Sequence, residues 1–333
     1  MKNQILILSL VILLFPCGCV EQQQGGSEKK APVAADDNFY KLKNRAIKIV
    51  RAGLADENSY VRNRAIEVTS TAGRGELMQI VSGLLRDDKV AVRYAAALAV
   101  GDMSYPGGII AATRGLRDKN AGVQIASAYA LVKLGKSKYS EMLYKAAMGN
   151  DQDMRAKAVV LLGRLGDKKH LELLHKVMRD KTSSDIVKIQ AAEAIANLGD
   201  KTIFQSKLWP LLISKHADDK VIGISAMAAL GTPEAQNAIL TMLMDDIPEI
   251  RLFAAGQLGR LGNTSGQGIV LKYLSSPQFD MNRWSVANES AVAAVGQIGT
   301  DELKKFLPKL LDSRNKLIQL SAAQAVLSGG ASR

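Results

Sequence analysis

One short pattern recurs along most of this chain at intervals of 29 to 37 residues. Each copy has an apolar anchor residue, a small residue four positions later and, in most copies, a glycine twelve positions later. The anchors are Val61, Val92, Val123, Met154, Val187, Val221, Ile250, Ala287 and Ile318. A period of roughly twenty to fifty residues indicates an array of similar structural units. Each unit of such an array buries its apolar face against its neighbours.

The copy from Asp245 to Gly262 illustrates what one unit encodes. Asp245 or Asp246 is a candidate helix cap, and Pro248 follows where the first turn of a helix tolerates a missing N–H. The side chains from Ile250 onward recur at helical spacing, and Gly262 follows where a left-handed residue ends a helix. We therefore predict one amphipathic helix with a defined start and end in each unit.

A second amphipathic stretch precedes each pattern, and two of these stretches contain an interior proline that should bend or break a helix, at Pro210 and Pro308. Together with the turn D-D-I-P-E-I-R at 245–251, these features resemble HEAT and HEAT-like repeats over residues 38 to 330. The resemblance implies an all-α fold, a right-handed α-solenoid of about nine HEAT-like helix pairs spanning residues 38–333. With helices packed about 8–10 Å apart, such a stack should be a rod or arc roughly 80–90 Å long.

The N-terminus carries a targeting segment. Lys2 precedes the apolar run Ile5–Phe15, which is too short to span a bilayer, and Gly18 precedes Cys19 in a way that resembles a bacterial lipobox. We predict a lipoprotein signal peptide at residues 1–18, lipidation of Cys19 and a flexible tether at residues 19–37. The alternative is an ordinary cleaved signal peptide or an uncleaved anchor. The expected location is the bacterial cell envelope, facing the periplasm from the outer membrane if the cell is Gram-negative.

Residues typical of catalytic or metal sites are scarce. The histidines are His170, His175 and His216, and no His-x-x-x-His pair occurs. Some HEAT-like proteins are hydroxylases that hold iron with repeated His-Glu pairs, and bilin lyases share the repeat, but this sequence has no His-Glu dipeptide. We therefore expect no cofactor, no metal and no enzymatic activity. An enzyme subunit of the lyase or hydroxylase type is the less favoured alternative.

The net charge and the predicted export segment limit which class of partner this chain is expected to bind. The formal net charge is +12, and a basic body attracts anionic partners. Aromatic residues make up only 5% of the chain, so no stacking platform for nucleic-acid bases is expected. The predicted function is a membrane-tethered, non-catalytic scaffold or adaptor that binds a protein or peptide partner through the solenoid surface. The alternative is a binder of an anionic cell-envelope polymer, and the oligomeric state stays open.

A basic residue often follows the anchor, and an aspartate often lies in the preceding turn. The cations are Arg62, Arg93, Arg155, Lys188 and Arg251, and the aspartates include Asp56, Asp87, Asp118 and Asp245. The recurrence of both charges favours a structural ladder of ion pairs between neighbouring turns. The alternative is a row of free cations that faces an anionic partner.

A candidate partner strip comes from residues six positions after three successive anchors. Leu98, Tyr129 and Val160 should point away from the apolar seam, and Lys133 and Arg164 lie nearby on the same side. An apolar strip edged with positive charge suits a partner that has an apolar anchor and acidic flanks. The alternative is that these residues belong to the core, because second helices of a solenoid are covered on most sides.

Overall fold

The computed structural model describes residues 33–328, with side chains from residue 39 onward. Over this range the chain is helical and contains no strand. The helices are α1 Val33–Leu54, α2 Ser59–Thr71, α3 Met78–Gly83, α4 Val90–Asp102, α5 Ile109–Gly115, α6 Ala121–Lys133, α7 Ser140–Ala147, α8 Gln152–Arg164, α9 Leu171–Arg179, α10 Asp185–Asn197, α11 Trp209–Leu212, α12 Ala217–Leu230, α13 Pro233–Thr241, α14 Pro248–Arg260, α15 Gln267–Leu274, α16 Val286–Ile298, α17 Asp301–Lys304, α18 Leu307–Leu310 and α19 Lys316–Ser328. The prediction of an all-α solenoid is confirmed.

The helices alternate between two layers. The longer ones that follow each anchor pattern form the inner layer, α2, α4, α6, α8, α10, α12, α14, α16 and α19, and successive inner helices pack against each other. The remaining, mostly shorter helices form the outer layer and pack on the inner helix of their own pair. Two of the outer segments are broken near the interior prolines, since α11 begins after a π-helix at Phe204–Leu208 and α18 is separated from α17.

Helix boundaries follow local sequence chemistry. Asn120 and Ser184 cap α6 and α10 through their side chains, and Gly262 lies after α14 with a φ of +83°, as predicted. The cap predicted at Asp245 or Asp246 is wrong. The N-cap of α14 is Ile247, and Asp245 instead accepts a hydrogen bond from the Ile247 N–H at 2.9 Å, which shapes the turn before the helix.

Small residues let the inner helices approach closely. A Cβ placed on Gly163 of α8 would lie 2.8 Å from the Cα of Ala194 in α10. A Cβ on Gly259 of α14 would lie 2.7 Å from the Cα of Ile298 in α16. At these positions a side chain would collide with backbone rather than with a movable group. The small residues of the repeat therefore set the spacing between neighbouring inner helices.

The array closes on itself. The last helix, α19, packs against both α1 and α2 of the first pair, and a Cβ on Gly53 would lie 2.9 Å from Ala65 and 3.2 Å from Leu320. Lys316 of α19 forms an ion pair with Asp56 at 2.5 Å. The expectation of a rod or arc is therefore wrong, because the last pair of helices packs against the first. Each pair is rotated relative to its neighbour, and over the described chain these rotations bring the last pair against the first.

The predicted signal peptide at residues 1–18 and the lipidation site Cys19 lie outside the described residues. Helix α1 begins at Val33, so it includes the last five residues of the stretch predicted as a tether, 19–37. Between residues 33 and 328, no helix is both long enough and apolar enough to cross a membrane.

Candidate functional site at the inner face of the ring

Ionisable side chains from several inner helices meet across the ring. We call this group the inner cluster, and its members are Arg64, Glu67, Tyr94, Asp102, Tyr129, Arg164, Glu193 and Glu289. Helices that are not neighbours contribute to it, because Arg164 of α8 acts electrostatically on Glu67 of α2 and binds Asp102 of α4. Only side chains directed toward the ring axis can make such contacts.

Arg64 joins the first repeat to the last two. Its guanidinium forms ion pairs with Glu67 at 2.9 Å and with Glu289 of α16 at 3.0 Å. It also donates to Ser321 at 3.1 Å and to Gln324 at 2.8 Å, both on α19. The Arg64 side chain is only 6% exposed, and the charges of Glu67 and Glu289 offset part of the hydration that the cation loses on burial. Among the described residues, no hydrogen bond reaches the buried Nε and Nη1 of Arg64. The closure of the ring is therefore polar as well as apolar.

Arg164 and Tyr129 converge on one carboxylate. From the end of α8, Arg164 reaches past α6 and binds Asp102 at the end of α4, with Nη2 2.5 Å from Oδ2. The Tyr129 hydroxyl donates to the other oxygen, Oδ1, at 2.6 Å. The Arg164 guanidinium carbon lies 5.9 Å from the centroid of the Tyr129 ring, a cation–π distance. Asp102 thus fixes the position of both side chains.

Burial changes the acidity of the cluster. It raises the pKa of Glu193 to about 7, although the nearby Arg164 acts in the opposite direction. Burial also raises the pKa of Glu67, opposed by Arg64, and raises the pKa of Tyr94 to about 12. Glu193 is therefore divided between its acid and ionised forms near neutral pH, while Tyr94 keeps its proton.

Several polar atoms of this region have no partner. Among the described residues, no hydrogen bond reaches the buried atoms Arg164 Nη1, Glu67 Oε1 or Gln190 Nε2 of α10. A buried donor or acceptor without a partner costs about 1–3 kcal/mol. Such atoms in a native structure require an explanation, of which a ligand or an ordered water is the usual one. The inner cluster therefore offers both donors and an acceptor to a bound group.

The predicted partner strip is not an open surface. Tyr129 is 1% exposed and Leu98 is 8% exposed, while Val160 and Lys133 are half-buried and Arg164 is buried. The structure brings Tyr129 and Arg164 together at Asp102, but Tyr129 packs within the core, as the alternative interpretation held. Leu98 and Tyr129 were predicted to point away from the apolar seam, but both belong to the buried core. Partner binding by these five residues stays a prediction.

The acidic members of the cluster were not proposed as a site from the sequence. Glu67 and Glu193 occupy the same repeat position as Leu98, Tyr129 and Val160, six residues after the anchor. An ionisable residue at a position that is otherwise apolar is a signal of a polar interior. The contribution of Asp102 could not be found this way, because it depends on contact with Arg164, 62 residues away.

The basic residues after the anchors form the expected ladder. Arg62, Arg93 and Arg155 each bind an aspartate of the next repeat, 25 residues later, and Lys220, which precedes its anchor Val221, also binds an aspartate 25 residues later. The acceptors are Asp87, Asp118, Asp180 and Asp245. The structural interpretation is confirmed for Arg62, Arg93 and Arg155. Lys188 instead pairs with Asp185 of its own helix at 3.9 Å, and the hydrogen bonds of Arg251 go to the backbone carbonyls of Asp245 and Asp246.

The histidines have local partners. His175 lies 2.8 Å from Asp200, and His170 contacts the Tyr144 hydroxyl at 3.3 Å. In the part of the chain that the structure describes, no group of three or more His, Cys, Asp or Glu side chains is arranged to hold a metal ion.

Comparison with known proteins identifies the repeat. The family model for HEAT repeats matches residues 47–132. A curated relative from Pseudanabaena tenuis, an uncharacterized phycocyanin operon protein Z, is 25% identical over 154 residues, which cover 44% of this chain and 76% of that protein.

Solved structures with a similar arrangement of helices are distant in sequence. The complex of CpcE and CpcF of phycocyanin lyase from Nostoc is 15% identical with a TM-score of 0.45, covering 86% of this chain and 100% of that one. Human deoxyhypusine hydroxylase is 16% identical with a TM-score of 0.36, covering 78% and 98%. Kap121p bound to Nup53p is 13% identical with a TM-score of 0.35, covering 84% and 37%. At these identities the likeness shows the fold alone.

The expectation that this chain is not an enzyme is corrected by these comparisons. Two of the similar structures, the phycocyanin lyase and the deoxyhypusine hydroxylase, are enzymes built on the same helix arrangement. The absence of His-Glu pairs therefore does not exclude catalysis. The HEAT-repeat model matches residues 47–132, and the same pairing of helices continues through residue 328.

Proposed function

We propose that this protein is a lipid-anchored adaptor of the bacterial cell envelope that holds a protein or peptide partner at the inner face of its ring. The observation that carries the proposal is the set of unpaired polar atoms in and beside the inner cluster, Arg164 Nη1, Glu67 Oε1 and Gln190 Nε2. An extended peptide presents alternating N–H and C=O groups, so one segment can satisfy donors and acceptors together. The anchor is the lipid predicted on Cys19.

The inner cluster suits a partner that has both hydrogen-bond acceptors and hydrogen-bond donors. Arg164 supplies a free N–H, whereas Glu67 supplies a free carboxylate oxygen and keeps a quarter of its side chain accessible. Val160, half-buried on α8, supplies apolar contact beside Arg164. A rigid set of donors and acceptors of this kind favours one orientation of the bound segment.

Site-specific photo-crosslinking in cells tests the inner face directly. A photoreactive amino acid at Val160 should crosslink to a discrete partner, and the same amino acid at Ile110, which is 67% exposed on the outer helix α5, should not. The yield of the crosslink from position 160 should fall when Arg164→Gln is introduced into the same chain. Crosslinks from position 110 with none from position 160 would place the partner on the outside and contradict the proposal.

Anchoring is tested separately. Cys19→Ser should release the protein from the membrane fraction, with Cys17→Ser as the matched control that stays bound. If Cys17→Ser is the variant that leaves the membrane, the lipidation site is not Cys19.

The raised pKa of the buried Glu193 side chain favours a second candidate, an enzyme or a subunit of one. A carboxylic acid with a pKa of about 7 near an arginine is the kind of group that general acid–base catalysis uses. The similarity to a phycocyanin operon protein suggests phycocyanin as the first substrate to test. Purified protein should then change the visible absorption spectrum of phycocyanin, and Glu193→Gln should abolish the change. A spectrum that is the same with and without the protein would rule out this substrate.

A further inference from the structure

The ladder of ion pairs is interrupted between α14 and α15. Arg251 makes the same backbone contacts as Arg93, since its Nη1 donates to the carbonyls of Asp245 at 2.6 Å and Asp246 at 3.1 Å. In Arg93, Nε and Nη2 then bind both oxygens of Asp118, 25 residues later. The residue 25 positions after Arg251 is Ser276. Within residues 33–328, Nε and Nη2 of Arg251 consequently have no hydrogen bond and no ion pair.

The guanidinium of Arg251, where the ladder lacks its aspartate, lines a pocket of about 520 Å³. An equivalent pocket of about 430 Å³ lies at Arg93, where the ladder ion pair is present. Most residues of the two pockets correspond with a constant difference of 158 in sequence number. Arg251 corresponds to Arg93, Lys272 to Arg114, and Ser276 to Asp118. The second pocket therefore serves as an internal reference in which the carboxylate is already present.

The walls of the larger pocket combine positive charge with apolar surface. Leu252, Ile269, Tyr273 and Pro277 line it, and Met244 at its rim is 83% exposed. The Tyr273 ring is held by a hydrogen bond to Asn288 at 2.9 Å, so this wall is fixed. In the reference pocket a glycine, Gly115, occupies the place of Tyr273.

The side chains in and around the pocket carry a net positive charge, which favours binding of an anion. Lys272 adds a second cation to Arg251. Of the two aspartates in the lining, Asp245 is neutralised by Lys220 at 2.5 Å, and Asp246 is exposed. One net positive charge therefore remains, and it is concentrated on the guanidinium that lacks its carboxylate.

We propose that this pocket binds a small organic acid, whose carboxylate takes the place of the missing ladder aspartate on Arg251 and whose apolar body lies against Tyr273 and Pro277. The free edge of an arginine matches a carboxylate with two parallel hydrogen bonds. The volume is within the range of small-molecule sites, roughly 300–1,000 Å³. The site is separate from the inner cluster and does not depend on the function proposed for it.

The test compares the binding of an acid with that of its neutral analogue. It also uses a variant in which the missing carboxylate of the ladder is restored. Binding of 3-phenylpropionate and of 3-phenylpropionamide to the purified protein is measured by calorimetry and by ligand-observed NMR at low salt. The variants are Ser276→Asp, which supplies the missing carboxylate, Arg251→Gln, which removes the guanidinium, and Ser276→Ala as the control. The blocked peptide acetyl-Phe-Asp-amide tests whether the acid is instead an amino-acid side chain.

We expect the wild type and Ser276→Ala to bind the acid and not the amide. Ser276→Asp should weaken binding at least about tenfold, and so should Arg251→Gln. Ser276→Asp should also raise the melting temperature, so its loss of binding cannot be attributed to unfolding.

Three results would overturn the proposal: equal binding of acid and amide, unchanged binding in Ser276→Asp, or no saturable binding of the acid at millimolar concentration. Binding of the peptide without binding of the free acid would overturn the assignment to a small molecule.

Discussion

At the scale of single residues, the protein buries charged groups and then neutralises them in networks. Arg64 and Glu289 are 6% and 8% exposed and lie 3.0 Å apart. Arg164 and Asp102 form a similar pair, and the Tyr129 hydroxyl completes the shell of the carboxylate. Removing one member of such a pair leaves an uncompensated charge, whereas the whole pair can be close to neutral for stability. Glu193 differs from these residues because it lacks a direct ion-pair partner among the described residues.

The raised pKa of Glu193 makes stability depend on pH. The folded protein holds this proton more tightly than the unfolded chain, because the pKa is about 7 instead of the ordinary 4.5. The free energy of unfolding should therefore fall as pH rises from about 4.5 through about 7. Glu193→Gln should be more stable than the wild type at pH 8, by about 2–3 kcal/mol, and the difference should vanish below pH ~4.5.

Chemical denaturation across this pH range measures the difference. Glu141→Gln, on the exposed side of α7, is the matched control and should follow the wild-type curve. A Glu193→Gln variant whose stability parallels that of the wild type at every pH would show that Glu193 is not a buried acid.

The Tyr129 hydroxyl should contribute measurably to stability. Tyr129→Phe removes its hydrogen bond to Asp102 and should lower the free energy of unfolding by about 1–3 kcal/mol. Tyr94→Phe is the control, because no hydrogen bond within the described residues reaches the Tyr94 hydroxyl, and it should be nearly neutral. Thermal denaturation of both variants at pH 7 checks the difference. Equal losses in the two would mean that the Asp102 contact contributes nothing.

At the scale of elements, much of this fold could be predicted because its helices are specified locally. Pro248 at the start of α14 and Gly262 after its end lie where the sequence pattern placed them. The partner strip was harder, since the side of a helix follows from periodicity but the residues that cover it do not. The inner cluster joins helices that are separated by whole repeats, and no local pattern encodes such contacts.

Close approach of α8 and α10 should be sensitive to one methyl group. In Gly163→Ala, the new Cβ would lie 2.8 Å from the Cα of Ala194, so the helices must separate, at a cost of about 1–3 kcal/mol. Gly268→Ala is the control within α15, where a Cβ meets nothing within 4 Å, and it should stabilise the protein by about 0.5–1 kcal/mol.

Hydrogen exchange locates the effect of Gly163→Ala. Amides of both α8 and α10 should exchange faster than in the wild type, because the two helices share the contact. If only α8 changes, the neighbouring repeats are not coupled through this position.

At the scale of the whole molecule, closure of the ring means that the terminal repeats do not need a fully polar outer face. An open array needs terminal repeats with a polar outer face, yet residues 317–327 of α19 contain no charged side chain. Their burial against α1 and α2 accounts for this composition. The sequence thus contained a sign of closure, but the partner of α19 could not be identified without the accumulated rotation of all the intervening pairs.

Closure predicts a covalent link between residues that are far apart in sequence. Lys316 and Asp56 lie 2.5 Å apart although 260 residues separate them, and the Lys316 side chain is 62% exposed. A zero-length carbodiimide reagent joins an amine to a carboxylate in direct contact. Treatment of the dilute protein should therefore give an amide between Lys316 and Asp56 that mass spectrometry detects after digestion.

The Lys220–Asp245 pair, also at 2.5 Å, is the internal control because it joins neighbouring repeats and forms whether the ring is open or closed. Lys316→Arg should remove the long-range link and leave the control link intact, since a guanidinium does not form this amide. An open array would give the Lys220–Asp245 product alone. Arg64→Gln weakens the polar network between α2, α16 and α19, so it should lower the yield of the long-range product relative to the control product.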